Sequence, residues 1–197
     1  MLPSLYKTRR EIIVIGGGYL STLLSSSAEE ASNHPFQPEI KSMSFDAPVL
    51  NFNPLLLVGC WEYQAAYTLF PDGTTSYNFT PTPKGRFIIL PNGRYSHIVM
   101  SPDLPKVASG QLKNLTDVEA QAIATNVLAH LGTWKADPAA GSFDVEIEWS
   151  SFPNFDGITQ TRIITQLDLH TLSYENLQTT NGGDAKVIAT LTRAPMF

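Results

Sequence analysis

The sequence predicts an all-β fold, a closed antiparallel barrel of about eight strands with one short α-helix, preceded by an N-terminal leader. Three observations predict it. Beyond residue 54 the chain runs in short stretches of alternating apolar and polar residues, separated by turn signals: "PDG" at 71–73, "PNG" at 91–93, "PNFDG" at 153–157 and "NGGD" at 181–184. "GRFIIL", "PNG" and "RYSHIVM" form the clearest hairpin, because Asn92 and Gly93 tolerate the positive φ of a tight turn. Helical spacing opens at one place, Thr116. Many antiparallel strands with a single helix must stack as two sheets or close into a barrel to remove their edges. A barrel of about eight strands leaves room inside for one small ligand.

The leader comes first. "EIIVIGGGYLSTLL" at 11–24 reads either as the strand, glycine loop and helix of a dinucleotide site or as the apolar core of an export signal. The dinucleotide reading needs a third glycine where Ser21 stands, and an acidic residue at the end of a second strand. The stretch after Leu24, "SSSAEEASNHPFQPEIKS", has no strand pattern. Lys7, Arg9 and Arg10 ahead of the apolar run and small residues ending at Ala28 favour the export signal; Glu11 and the three glycines count against it. About a dozen apolar residues fall short of the roughly 20 that a membrane span needs. Residues 1–28 are therefore expected to be a signal peptide or a disordered leader, 29–54 a linker, and 55–197 the barrel domain. A signal peptide implies the secretory pathway or an extracellular protein, with Asn78 ("NFT") and Asn114 ("NLT") as glycan acceptors; otherwise the location is cytoplasmic.

In the domain, "LLLVGCWEYQAAYTLF" alternates Trp61, Tyr63, Ala65, Tyr67 and Leu69 on one face with Glu62, Gln64 and Thr68 on the other, which predicts a long first strand. Thr116 and Glu119 make a capping box. Val118, Ala122, Ile123, Val127 and Leu131 then recur at helical spacing until Gly132, which predicts a helix across that stretch. Strands resume with "FDVEIEWSSF", "TQTRIITQLDL", "TLSYEN" and "KVIATLTR".

Composition narrows the chemistry. Thirteen Lys and Arg against 18 Asp and Glu leave a net charge of −5, with no excess of positive charge to neutralise phosphates, so nucleic acid is excluded as an expected partner. Cys60 is the single cysteine, which excludes an intrachain disulfide and thiolate metal clusters. His34, His97, His130 and His170 show no ligand spacing, so no metal or other cofactor is expected. No serine sits on a nucleophile elbow. The oligomeric state stays open, a homodimer included.

"LVGCWEY", "DGTTSYNFTPTPKGRFIILPNGRYSHIVMSPDLPK", "HLGTWKAD", "SSFPNFDGITQTRI" and the closing "AKVIATLTR" together resemble the short lipocalin-like domain family of bacteria and of fungal biosynthetic gene clusters, from about Leu57 to Arg193. The family's Gly-Thr-Trp opening appears as Gly59, Cys60 and Trp61, and Gln160 and Arg162 match its pattern. Trp149 stands where the family has a small residue, which implies a pocket reshaped for a flat or aromatic ligand. The resemblance implies a closed barrel with a central cavity and no single reaction. Compact barrels of similar style in fungal natural-product pathways act as cofactor-free cyclases, pericyclases among them.

The candidate site comes from folding the hairpin about Phe155. Glu148 then lies opposite Arg162, Ser150 opposite Gln160 and Trp149 opposite Thr161. Glu148, Ser150, Gln160 and Arg162 share one face; Val145, Ile147, Trp149, Ile163 and Leu167 share the other. Either the polar face is solvated, with Glu148 and Arg162 a surface pair, or it lines the cavity, where a carboxylate-held Arg can donate to a carbonyl or developing oxyanion. His97, in phase with Tyr95 and Val99, is either an ordinary histidine or a general acid or base near neutral pH. Trp61, Tyr63, Tyr67 and Phe87 make an aromatic wall, with Trp61 plugging the closed end. The expected catalytic set is Arg162, Gln160, Glu148 and His97, and the ligand-binding set Trp61, Tyr63, Tyr67, Phe87, Tyr95 and Trp149. The expected function is cofactor-free cyclisation or isomerisation of an apolar small molecule, with a carrier that turns nothing over as the alternative.

Overall fold

The computed structural model describes residues 47–178 and 183–195. The expected leader, 1–28, and residues 29–46 of the expected linker lie outside the described residues. The strands are β1 (Gly59–Leu69), β2 (Thr75–Ser76), β3 (Lys84–Ile89), β4 (Arg94–Met100), β5 (Val127–Asp137), β6 (Ser142–Ser150), β7 (Thr159–Leu167), β8 (Thr171–Asn176) and β9 (Lys186–Arg193), with helix α1 (Asp117–Asn126) before β5. Every neighbouring pair is antiparallel, and β9 returns to β1 from Trp61↔Arg193 to Leu69↔Lys186. That pairing closes β1 and β3 to β9 into an eight-stranded barrel, while the two-residue β2 adds to the end of β1 at Thr68 and Leu69. No helix among the described residues is long and apolar enough to cross a membrane.

The β3–β4 hairpin forms as its turn chemistry demands. Gly93 N–H donates to Leu90 O, Asn92 Oδ1 accepts from Arg94 N–H, and Gly93 takes φ +80°. Thr116 and Glu119 form the capping box reciprocally at the start of α1.

The helix ends earlier than its spacing predicts. It stops at Asn126, and residues 127–137 continue as β5, hydrogen-bonded to β4 on one edge and to β6 on the other. No residue of α1 is buried, so lengthening it would gain little, whereas a strand at this place completes the ring. Gly132 serves close approach rather than helix termination: a Cβ there would lie 1.9 Å from Glu146 O.

The first strand also departs from strict alternation. A bulge between Tyr63 and Ala65 shifts its register against β9, so Ala66 and the buried Thr68 follow Tyr63 inward in place of Ala65, Tyr67 and Leu69.

The barrel is packed solid at one end. Leu57, Trp61, Ile89, Phe143, Ile164, Leu172 and Leu191 are fully buried there. Trp61 donates from Nε1 to Leu57 O at 2.8 Å, and the Arg193 guanidinium lies 4.1 Å from the centre of its ring. Arg193 also donates to the carbonyls of Leu169, Val58 and Leu56, tying the last strand to the entry of the first. Phe52 is buried and Val49 packs on the core, while Val49 N–H and Asn51 N–H donate to Ile164 O and Pro138 O.

Candidate functional site

The other end of the barrel is hollow. A cavity of about 60 Å³ lies there, with room for about four to six water molecules. Its wall includes Tyr63 from β1, His97 from β4, His130 from β5, Gln160 and Arg162 from β7, and Tyr174 from β8. Val99, Leu128, Phe155 and Val187 supply apolar surface.

Arg162 is 2% exposed and Gln160 1%, so the β7 polar pair faces the lumen. The Arg162 guanidinium carbon lies 5.3, 5.9 and 5.4 Å from the ring centres of Phe87, Phe143 and Tyr174, an aromatic cradle that solvates a cation in part. Nη2 donates to Gln160 Oε1 at 3.3 Å, and the same oxygen accepts from Asn176 Nδ2 at 3.3 Å. Nε and Nη1 find no hydrogen-bond acceptor among the described residues.

The expected carboxylate partner is elsewhere. Arg162 stands opposite Phe143, and Gln160 opposite Val145, so the hairpin register differs by five residues from a fold about Phe155. An odd displacement exchanges the faces of β6. Val145 and Ile147 point inward alongside Arg162, while Glu148 points out and pairs with Arg94. Trp149 is 71% exposed and takes no part in the cavity. The Glu148–Arg94 side chains are 37% and 50% exposed, so their pairing contributes well under about 1 kcal/mol. Glu148→Gln is accordingly expected to leave both the unfolding midpoint in denaturant and ligand affinity unchanged, where a lumenal Glu148 would alter both.

His97 and His130 stack with ring centres 4.3 Å apart. The Tyr63 hydroxyl bridges His97 Nε2 at 2.6 Å and the Tyr174 hydroxyl at 2.9 Å, and Tyr95 OH meets His130 Nδ1 at 2.9 Å. His97 Nδ1 is buried with no partner among the described residues. Burial holds the His97 pKa well below the ordinary histidine range, reinforced by His130 and Arg162. Burial, with Arg162, takes His130 down to about 3. Burial likewise raises Tyr63 and Tyr95. At neutral pH these rings are uncharged, so His97 is a neutral hydrogen-bonding group, and its burial disfavours the imidazolium form that a general acid near neutral pH would need.

Of the expected aromatic wall, Tyr63 lines the cavity, and Tyr67 borders it with its ring edge-on to Tyr77. Trp61, Phe87 and Tyr95 belong to the packed core, Phe87 and Tyr95 backing Arg162 and His130 rather than the cavity. Asn114 is exposed; Asn78 is half-buried on the cavity wall, its Oδ1 accepting from Thr68 Oγ1 at 3.1 Å. No group of three His, Cys, Asp or Glu able to hold a metal occurs among the described residues.

Sequence reasoning missed His130, Tyr174 and Asn176. The alternation of "TLSYEN" was the available signal for the last two, since Leu172, Tyr174 and Asn176 all fall inward. His130 was hidden by the helical spacing that runs through it.

A closed antiparallel barrel, packed at one end and opening at the other into a cavity with a few converging polar groups, has the form of a small-molecule-binding barrel. Residues 58–194 match the family model described as a lipocalin-like domain, and the chain belongs to that family. Among solved structures, a redesigned β-barrel is similar at 15% identity and a TM-score of 0.37, over 71% of this chain and 93% of that one. No curated protein matches the chain.

Proposed function

We propose that this protein is a cofactor-independent cyclase or isomerase, of which pericyclases are one form, acting on an apolar small molecule in natural-product biosynthesis. The observation that carries the reading is the Arg162 guanidinium, buried on the cavity wall with two N–H-bearing nitrogens unpaired among the described residues. A cation desolvated in advance stabilises negative charge developing on a carbonyl or enol oxygen far more strongly than a hydrated one. Gln160 holds the guanidinium from one side, and the cavity confines the substrate near its reactive shape. The Tyr174–Tyr63–His97 chain can pass a proton along hydroxyls while every member stays neutral.

Cyclisation and isomerisation conserve mass, which makes the reading testable without knowing the substrate. A strain of the source organism lacking the gene is expected to accumulate a compound of the same mass as its missing product, and the purified protein to convert one into the other with nothing added. An unchanged metabolite profile, or a missing compound with no precursor of equal mass, would instead support a carrier that performs no chemistry.

A further inference from the structure

We propose that the ligand enters this cavity already ionised, through a planar two-oxygen head, a carboxylate or the enolate of a 1,3-dicarbonyl, that docks on Arg162. The inference rests on the small-molecule reading above and narrows its substrate class.

Charge balance is the reason. The acidic residues of the strands all turn away from the lumen. Glu62 pairs with Arg86, Glu148 with Arg94 and Glu175 with Lys186. Asp144 accepts from Thr161 Oγ1, Glu146 from Thr133 Oγ1 and Asp137 from Ala140 N–H. Among the described residues the lumen therefore holds one full positive charge and no negative one. The titratable groups that share the cavity with Arg162 from more distant strands, His97, His130 and Tyr63, are neutral donors and acceptors. Rings solvate a cation weakly compared with an anion, and an unpaired buried charge is costly. An ionised two-oxygen head cancels that cost and can accept two parallel bonds from a guanidinium. A neutral carbonyl offers one acceptor and leaves the charge uncompensated. The body of the ligand would then lie against Val99, Leu128, Phe155 and Val187.

Matched probes separate the possibilities: 2-naphthoate and 2-naphthamide share ring and shape and differ in charge. Titrated calorimetrically into the full chain near neutral pH, naphthoate is expected to bind about ten- to hundredfold more tightly than naphthamide, as hydrogen bonds to charged groups contribute. In Arg162→Gln that difference is expected to vanish while naphthamide binding persists. Equal affinity in the native protein would overturn the anionic head and leave the small-molecule reading standing, and so would a naphthoate preference that survives in Arg162→Gln. Binding of neither probe would overturn both. Proton and nitrogen shifts on the His97 and Arg162 side chains must accompany naphthoate binding; shifts confined to surface residues overturn the proposed site.

Discussion

Replacing Arg162 by Met is expected to make the empty barrel more stable while removing its activity. The guanidinium is buried without a carboxylate among the described residues, a situation whose cost in proteins runs to several kcal/mol. Its contacts with Phe87, Phe143 and Tyr174, at about 0.5–2 kcal/mol each, offset part of that. Met keeps much of the volume, packs well against aromatic rings and carries no charge. The expected gain is about 1–3 kcal/mol, seen in thermal unfolding as a rise of about 2–4 °C per kcal/mol. Loss of the donor is expected to slow conversion by about 10²–10³-fold. A variant less stable than the native protein would show that Arg162 is a structural residue. A more stable variant that still converts its substrate would remove Arg162 from the chemistry.

Acid is expected to unfold the barrel unusually steeply. His97 and His130 are neutral in the fold because burial depresses both, His130 to about 3 from an ordinary 6.5. In the unfolded chain they titrate normally. Below pH 6.5 the unfolded state therefore binds more protons than the native one, and stability falls as pH falls. Each histidine removes about 1.4 kcal/mol per pH unit through this window, and the stability they leave intact is fully present only above the unfolded pKa. His130 sustains its share of the slope from roughly pH 6 down to about pH 4, and wherever both rings are neutral in the fold and charged in the unfolded chain the two together give about 2.7 kcal/mol per unit. Urea unfolding at stepped pH measures it, and His130→Gln should remove about half of the slope. A native stability flat from pH 7 to pH 5 would mean that these rings are charged or hydrated in the fold, contrary to their burial of 4% exposure each.

The two predictions share one cause. The barrel places three basic side chains around a single cavity and leaves one of them charged. A guanidinium is too strong a base to be neutralised in a protein, whereas imidazole is weak enough for burial to strip its proton. The result is a site with a fixed cation beside neutral hydrogen-bonding rings, which favours an incoming anion over a proton.

Local chemistry alone was enough for much of this protein. Pro91, Asn92 and Gly93 dictate the β3–β4 turn, Thr116 and Glu119 dictate where α1 begins, and the alternation of short strands specifies an all-β barrel. Gln160 and Arg162 could be singled out as a polar pair two residues apart on one strand face. Which way that face turned was not legible, because alternation has a period of two and is blind to inside and outside. Neighbouring strands decided it. The eight-residue connection from Ser151 to Ile158 sets β6 against β7 so that Phe143 meets Arg162, which puts Glu148 in solvent. The bulge at β1 and the early end of α1 are likewise demands of ring closure rather than of propensity. Sequence by itself determined most of the strands, the tight turns and part of the polar set; only the closed barrel decided that residues 127–137 extend as β5 and which side chains meet, because side-chain direction depends on pairing across strands far apart in the chain.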